Sequence, residues 1–481
     1  MLKRSWKMKM LVALTVLSTA TAETYAAEVP TGEAIEMSYQ DSVNAGTLEL
    51  TLDDALVLAM GNNPKLTSAD AARQAANRRI QQARAGYWPT LGYTYDAARV
   101  RTENSTVGTM INNGFDNQLA LSWTVYNGGS TQAAVKQAKE NYLGQTYGVL
   151  QAEQQLKLDT TQAYFGVLQG EKQTEVAEES VARLEEHLKN VSLQYEVGIV
   201  AKADVLRSEV EVANARQEFI KARNVRDLAY AQLASLIWIP MDTKLVLKDD
   251  LSYIPDDRKI RESIDYAKIH RPEIHKAESS INAAEASVKG ARSGYLPTVT
   301  VSTGYGRSDE GNNWQGWDDM GWNVRGTVKW NLFDGFYTRG KVGEAMATHT
   351  QAEEEYKLTV QGVELEVREA WLNMQEARER IETSAVAVSQ AEEDYKIAQA
   401  RYAAGVGTNL DVLDSQVALT TAQTNNVSAL YDYNNSRAAL DKAMGLYAER
   451  PESATALERK PLPEDILNKK IEQLRKESSL K

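Results

Sequence analysis

The stretch ARAGYWPTL at 83–91 returns as ARSGYLPTV at 291–299, and three further matches fall in register with it. NNPKL at 62–66 answers to HRPEI at 270–274, WTVYNGG at 123–129 to WNLFDGF at 330–336, and YEVGIVAKADVL at 195–206 to YAAGVGTNLDVL at 402–413. The offset stays at 207 or 208 throughout. Four matches at one offset mark an internal duplication, so whatever this chain builds it must build twice.

Each half reads as a helix, two strands, a very long helix, a tight turn and a last helix. The first repeat spans 50–238, with strands over about 87–100 and 116–127, a long helix over 129–197 and another over 201–238. The second spans 261–447, with strands over about 295–307 and 321–334 and helices over 336–404 and 409–446. A proline-bearing, charged connector (239–260) lies between them, and a charged tail follows from 448 to 481. The strands show period two. Leu91, Tyr93, Tyr95 and Ala97 alternate with Thr90, Gly92, Thr94 and Asp96, and Leu119, Leu121, Trp123 and Val125 alternate with polar or small residues. The long helices carry apolar residues at three-four spacing, as at Leu184, Leu188, Val191 and Tyr195, which is coiled-coil packing. At 1.5 Å per residue each would be roughly 100 Å long.

Alternation of this kind also arises in soluble hairpins with one wet face. Here the strands are long enough to cross a bilayer at a tilt. Their ends carry Tyr87, Trp88, Trp123 and Tyr126, then Tyr295, Trp330 and Phe333, as interfacial girdles do. The start of the chain supports export. Lys3, Arg4, Lys7 and Lys9 precede an apolar run and then small residues, the layout of a signal peptide over 1–27, cleaved between about 22 and 27 and followed by a spacer over 28–49. No later segment approaches the length of a membrane-spanning helix, so membrane crossing falls to the strands.

Composition removes other classes. With 54 basic against 66 acidic residues, the net charge of -12 argues against nucleic acid as a partner. There is no cysteine, and the four histidines match no metal motif. No catalytic, cofactor or metal residue is expected. Four strands cannot close a barrel, and an open edge is not tolerated in hydrocarbon, so the chain must oligomerise. Closing the strands also gathers the helices into a cylinder, and a hollow barrel continued by a hollow helical tube is a conduit. The alternative is a non-conducting secreted coiled-coil stalk, structural or adhesive.

The duplicated junctions, the VGIVAKADVL and AGVGTNLDVL turns and the signal peptide resemble the TolC-like outer-membrane efflux proteins, over about 50–446. The resemblance implies a mainly α fold with a membrane β-barrel. Three chains would give twelve strands in outer-membrane lipid, continued by an α-helical coiled-coil barrel in the periplasm. It implies a passive channel of a tripartite efflux or type I secretion system, a homotrimer partnered by a periplasmic adaptor (membrane fusion) protein and, through it, an inner-membrane pump. Carried over residue by residue, it places Asp411 and Asp414 at the pore constriction, where mutual repulsion should raise some of the pKa values of the ring. It gives Tyr402 and Asp204 gate hydrogen bonds. The periplasmic turns, Gly198, Ile199, Val200 and Lys202 with Gly405, Val406, Gly407 and Thr408, become the adaptor-docking tip. Read without the resemblance, Asp411 caps a helix, Asp414 lies on a solvated face and Tyr402 is coiled-coil packing. One position departs from the family pattern: Gly407 stands where an arginine often forms a salt bridge, and Lys202 is the substitute expected.

Overall fold

The computed structural model describes residues 48–104, 108–310 and 321–446. The signal peptide, most of the spacer, the two hairpin tips and the tail lie outside the described residues.

In chain order the elements are β1 (Leu48–Leu50), α1 (Leu52–Asn62), α2 (Pro64–Ala85), β2 (Thr90–Asn104), β3 (Gly108–Tyr126), α3 (Ser130–Glu196) and α4 (Lys202–Leu236). The second half follows with β4 (Leu245–Leu247), α5 (Ile260–His270), α6 (Pro272–Arg292), β5 (Thr298–Glu310), β6 (Gly321–Lys329), α7 (Tyr337–Ala403) and α8 (Asn409–Met444). Local chemistry sets most of the boundaries. Thr51 and Asp54 close a capping box on α1, and Asn63 caps α2 with Pro64 in its first turn. α3 and α7 are 67 residues each and end at Gly198 and Gly405, whose positive φ angles of 75° and 73° suit a residue without Cβ.

The helix-to-strand corner is built the same way in both halves. The Trp123 indole donates to the Tyr87 carbonyl at 3.0 Å, and the Trp330 indole to the Tyr295 carbonyl at 3.1 Å. Strands β2, β3, β5 and β6 form one antiparallel sheet in that order, leaving β2 and β6 as free edges. β6 stops at Lys329, short of the expected 334. Residues 330–333 have no ladder to continue, because among the described residues nothing pairs with the outer edge of β6.

The core is strung along the helices. One cluster gathers Leu50, Leu58, Tyr164, Val167, Leu233 and Ile237, and another gathers Val363, Val367, Met374, Tyr433 and Leu440 with Ile274. The connector threads between them. β4 pairs in parallel with β1, which takes in residues 48 and 49 of the spacer. The Tyr164 hydroxyl donates to Asp249 at 2.7 Å, and at the matching place in the other repeat the Trp371 indole donates to the Arg258 carbonyl at 2.9 Å. Each long helix is thus tied at its middle to a segment folded over it. Burying a tyrosine the size of Tyr164 stabilises by about 2 kcal/mol, enough to hold such a segment in place.

Candidate functional site

At the far end of the helices from the sheet, the turns 197–201 and 404–408 lie at the ends of the two helical hairpins α3/α4 and α7/α8. Each long helix stops in the same motif: Ile199 N–H donates to Gln194 O at 2.9 Å, and Val406 N–H to Arg401 O at 3.0 Å. Val197, Ile199 and Val406 are all mostly exposed, which leaves an apolar rim at the tip. Val200 is half-buried, and Lys202 and Thr408 are exposed.

The restarts of the two hairpins differ. Thr408 caps α8, accepting from Asp411 N–H at 3.1 Å, while the Asp411 carboxylate accepts from Thr408 N–H at 2.9 Å. Those hydrogen bonds hold the Asp411 carboxyl below its usual pKa, with Arg401 adding to the effect. This is opposite in sign to the rise expected of a carboxylate ring assembled from several chains. Asp411 and Asp414 are both exposed and three residues apart, so they share the face of α8 turned away from the chain's own core. On the opposite face Asn409, Val412, Leu413 and Gln416 are buried. The cation acting on Asp411 within the chain is Arg401. Gly407 is also accounted for: a Cβ there would lie 3.0 Å from Tyr402 N and 3.1 Å from Arg401 C, so a side chain would press on the end of α7.

Behind the turns lies a buried polar node that the sequence did not announce. His187 of α3 is 5% exposed, and its Nε2 lies 2.6 Å from Asn409 Oδ1. Asn409 Nδ2 donates to the Asp204 carbonyl at 3.1 Å and to Ser208 Oγ at 3.2 Å, and Ser208 Oγ donates to the same Asp204 carbonyl at 2.9 Å. With Asn409 so oriented, its Oδ1 needs a donor, which places the imidazole proton on Nε2. Burial pushes the His187 pKa down, so the ring is held neutral. The Tyr402 ring meets it edge-on, with centroids 5.2 Å apart. Among the described residues of one chain the Tyr402 hydroxyl is buried without a hydrogen-bond partner, and burial first, then the Asp204 charge, raises its pKa. Asp204 therefore meets the other hairpin chiefly through its carbonyl, not through a bond from Tyr402.

A second polar layer repeats the device further up, where Gln416 Nε2 donates to Thr420 Oγ1 at 3.1 Å and Thr420 Oγ1 to Ser180 Oγ at 3.2 Å. Between the layers sits an apolar cluster of Leu184, Val212 and Leu413. Alternating polar and apolar layers fix the axial register of packed helices, since a slip would leave buried donors unpaired. The signal that could have found His187 was its phase: it stands at a core position between Leu184 and Val191, where an apolar residue is the ordinary choice.

Among the described residues no group of His, Asp or Glu could hold a metal ion, and no helix is long and apolar enough to cross a membrane. The family model described as outer membrane efflux protein matches residues 55–237 and again 263–446, one match to each repeat. The chain is 25% identical to the outer membrane protein TolC of Escherichia coli (strain K12) over 409 residues, which is 81% of each protein. It is 24% identical to the alkaline protease secretion protein AprF of Pseudomonas aeruginosa, over 83% of this chain and 85% of that one. Its fold is similar to the crystal structure of the Campylobacter jejuni CmeC outer membrane channel, with a TM-score of 0.75 and 18% identity over 88% of this chain and 89% of that one. A strand sheet with two free edges, four helices converging on an acidic tip and a family match to both repeats lead to one conclusion: this chain belongs to the outer membrane efflux protein family.

Proposed function

We propose that this outer-membrane channel, which serves efflux or type I secretion, works as a homotrimer. Three four-stranded sheets close a twelve-stranded barrel in the outer membrane, and the helices beneath it form a tube across the periplasm. The observation that carries this reading is the free-edged sheet running directly into helices of 67 residues, since an edge in hydrocarbon demands a partner. The chain catalyses nothing and holds no cofactor; it is a passive path.

In this reading the exposed face of α8 turns to the lumen, and Asp411 and Asp414 from three chains ring the narrowest point, favouring cations. The Tyr402 hydroxyl, without a hydrogen-bond partner among the described residues of one chain, takes its partner across the chain boundary. The apolar rim of the turns, with Gly198, Val200, Lys202, Gly405, Gly407 and Thr408 framing it, receives the periplasmic adaptor that leads to an inner-membrane pump. Relatives named for protease secretion and for toluene efflux share this chain's plan, which leaves cargo choice to the pump.

The test is single-channel conductance in a planar bilayer, comparing wild type with an Asp411→Ala, Asp414→Ala double variant. Cation-selective conductance that loses its preference in the variant supports the ring. Folded, inserted protein that conducts in neither form points instead to a closed stalk.

A further inference from the structure

Each copy of the helix-to-strand corner carries an arginine just below the aromatic belt: Arg84 before Tyr87 and Trp88, and Arg292 before Tyr295. Both stand in the last turn of their helix, α2 or α6, and both are exposed. Among the described residues neither has a hydrogen bond or an ion pair. Elsewhere on the helices arginines meet carboxylates, as Arg216 meets Glu185 and Arg380 meets Asp432. Nor do the carbonyls that close α2 hold Arg84, because Gly86, Tyr87 and Trp88 N–H donate to those of Ala83, Arg84 and Ala85.

The absence of acid extends along the chain. From 71 to 95 there are four arginines and no aspartate or glutamate, and from 286 to 306 the charged residues are Lys289 and Arg292 alone. In a chain with 66 acidic residues against 54 basic, the membrane ends of α2 and α6 are therefore electropositive. Next to Arg84 stands an apolar wall. Tyr87, Trp88, Pro89 and Trp123 enclose with it an open hollow of about 530 Å³. Leu91 pairs with Leu121, so Trp123, two residues on, shares the apolar face that a membrane barrel turns to lipid. The Trp123 N–H is taken by the Tyr87 carbonyl, which leaves its ring for apolar contact. Trp88 is 73% exposed, and its indole N–H has no partner among the described residues.

We infer that this corner binds a phospholipid of the periplasmic leaflet. The headgroup phosphate sits on the Arg84 guanidinium, the Trp88 indole donates to a glycerol ester carbonyl, and an acyl chain lies against Trp123. Three properties of the corner select that occupant. Tryptophan and tyrosine settle at the headgroup level of a bilayer, a guanidinium makes paired hydrogen bonds to a phosphate, and a cation without a local carboxylate favours an anion. The second corner holds a phosphate on Arg292 in the same way, with Leu296 in the place of Trp88 and so a weaker grip. Helix α6 packs on α3 and on α7, yet Arg292 stays exposed, so flanking helices do not close such a site. Bound there, the lipid fixes the depth at which helices give way to strands.

The test is native mass spectrometry of the full-length, detergent-solubilised protein, titrated with phosphatidylglycerol and, separately, with a diacylglycerol of the same chains and with glycerol 3-phosphate. Phosphatidylglycerol should bind wild type severalfold more tightly than it binds Arg84→Gln, and more tightly still than the Arg84→Gln, Arg292→Gln double variant. Arg84→Lys, which keeps the charge, should keep most of the affinity, and Arg216→Gln, which removes a positive charge far from the corner, should keep all of it. Neither the diacylglycerol nor glycerol 3-phosphate should match phosphatidylglycerol on wild type. Equal phosphatidylglycerol binding by wild type and the folded double variant overturns the site, as does an equal loss in Arg216→Gln. Diacylglycerol that binds as tightly as phosphatidylglycerol reduces the corner to apolar contact, and glycerol 3-phosphate that does so replaces the lipid with a free phosphate; either result overturns the proposal.

Discussion

The turn from Gly198 to Asp204 and the turn from Gly405 to Asp411 share a backbone and differ in chemistry. Both stop a 67-residue helix with a left-handed glycine, and both place an aspartate in the first turn of the next helix. At the second turn Thr408 engages Asp411 in a capping box. At the first, Ala201 stands in the capping position and no side chain caps α4. The first turn instead offers its Asp204 carbonyl to Asn409, the first residue of the other restart. Duplication supplied two equal hairpins, and divergence at a few positions made one the anchor of the other.

The contrast breaks most severely at Asn409. Asn409→Leu removes the partner of the His187 imidazole and one of the two side-chain donors to the Asp204 carbonyl at once. It should destabilise the tip by about 2 kcal/mol, the penalty of leaving buried polar groups unpaired. Denaturant unfolding gives the loss, and a rise in channel conductance would tie the node to gating. An unchanged midpoint would reduce the node to incidental packing.

Exchanging the caps sharpens the comparison at a smaller scale. Thr408→Ala should cost about 1 kcal/mol and Ala201→Thr should gain a similar amount, because the two positions are equivalent in the fold. NMR titration of the side-chain carboxyl should show the Asp411 pKa rising toward the ordinary carboxylate range in Thr408→Ala. In wild type the depressed pKa of Asp411 adds stability above the ordinary carboxylate pKa, and that stability is lost as pH falls through the depressed value.

A pH effect follows from His187. Its folded pKa lies below the unfolded value of about 6.5, so opened or unfolded states bind the extra proton first. The node should hold at full strength above that pH and weaken as pH falls through it, with the Tyr402 ring and the nearby Asp204 as the titratable neighbours. Hydrogen exchange of the Asn409–Val412 amides, compared at neutral pH and after acidification below the ordinary histidine pKa, would register the change, and His187→Gln should flatten it. The smallest effect belongs to Tyr402→Phe. The hydroxyl has no partner among the described residues of the chain, so the monomer's stability should barely move, and a leak in the assembled channel would point to a bond between chains.

Much of this site was legible. The matched turns, the glycine stops and the Asp411 cap lie within runs of a few residues, where helix spacing and capping rules apply. Asp411 and Asp414 come as a pair from the resemblance of the LDVLD turn to the family, and their three-residue spacing on a helix agrees with a shared face. His187 was set aside as one of four scattered histidines, since its partner Asn409 is 222 residues away and nothing local joins them. The three-residue strands β1 and β4 were placed in a spacer and a connector for the same reason: a strand that short carries no periodicity.

By itself the sequence determined the duplication, the length of the helices, the corners where helix turns into strand, and the acidic pair at the tip. All of these are set by residues within a few positions of one another, or by an offset that can be counted. The tertiary structure alone decided that β3 pairs β5 and leaves β2 and β6 bare, that Gly407 is pressed against the end of α7, and that His187, Ser208 and Asn409 share one buried site. Contacts between residues some 200 positions apart depend on which helix faces pack together, and that is fixed by the summed burial of whole faces, which no short window of sequence contains.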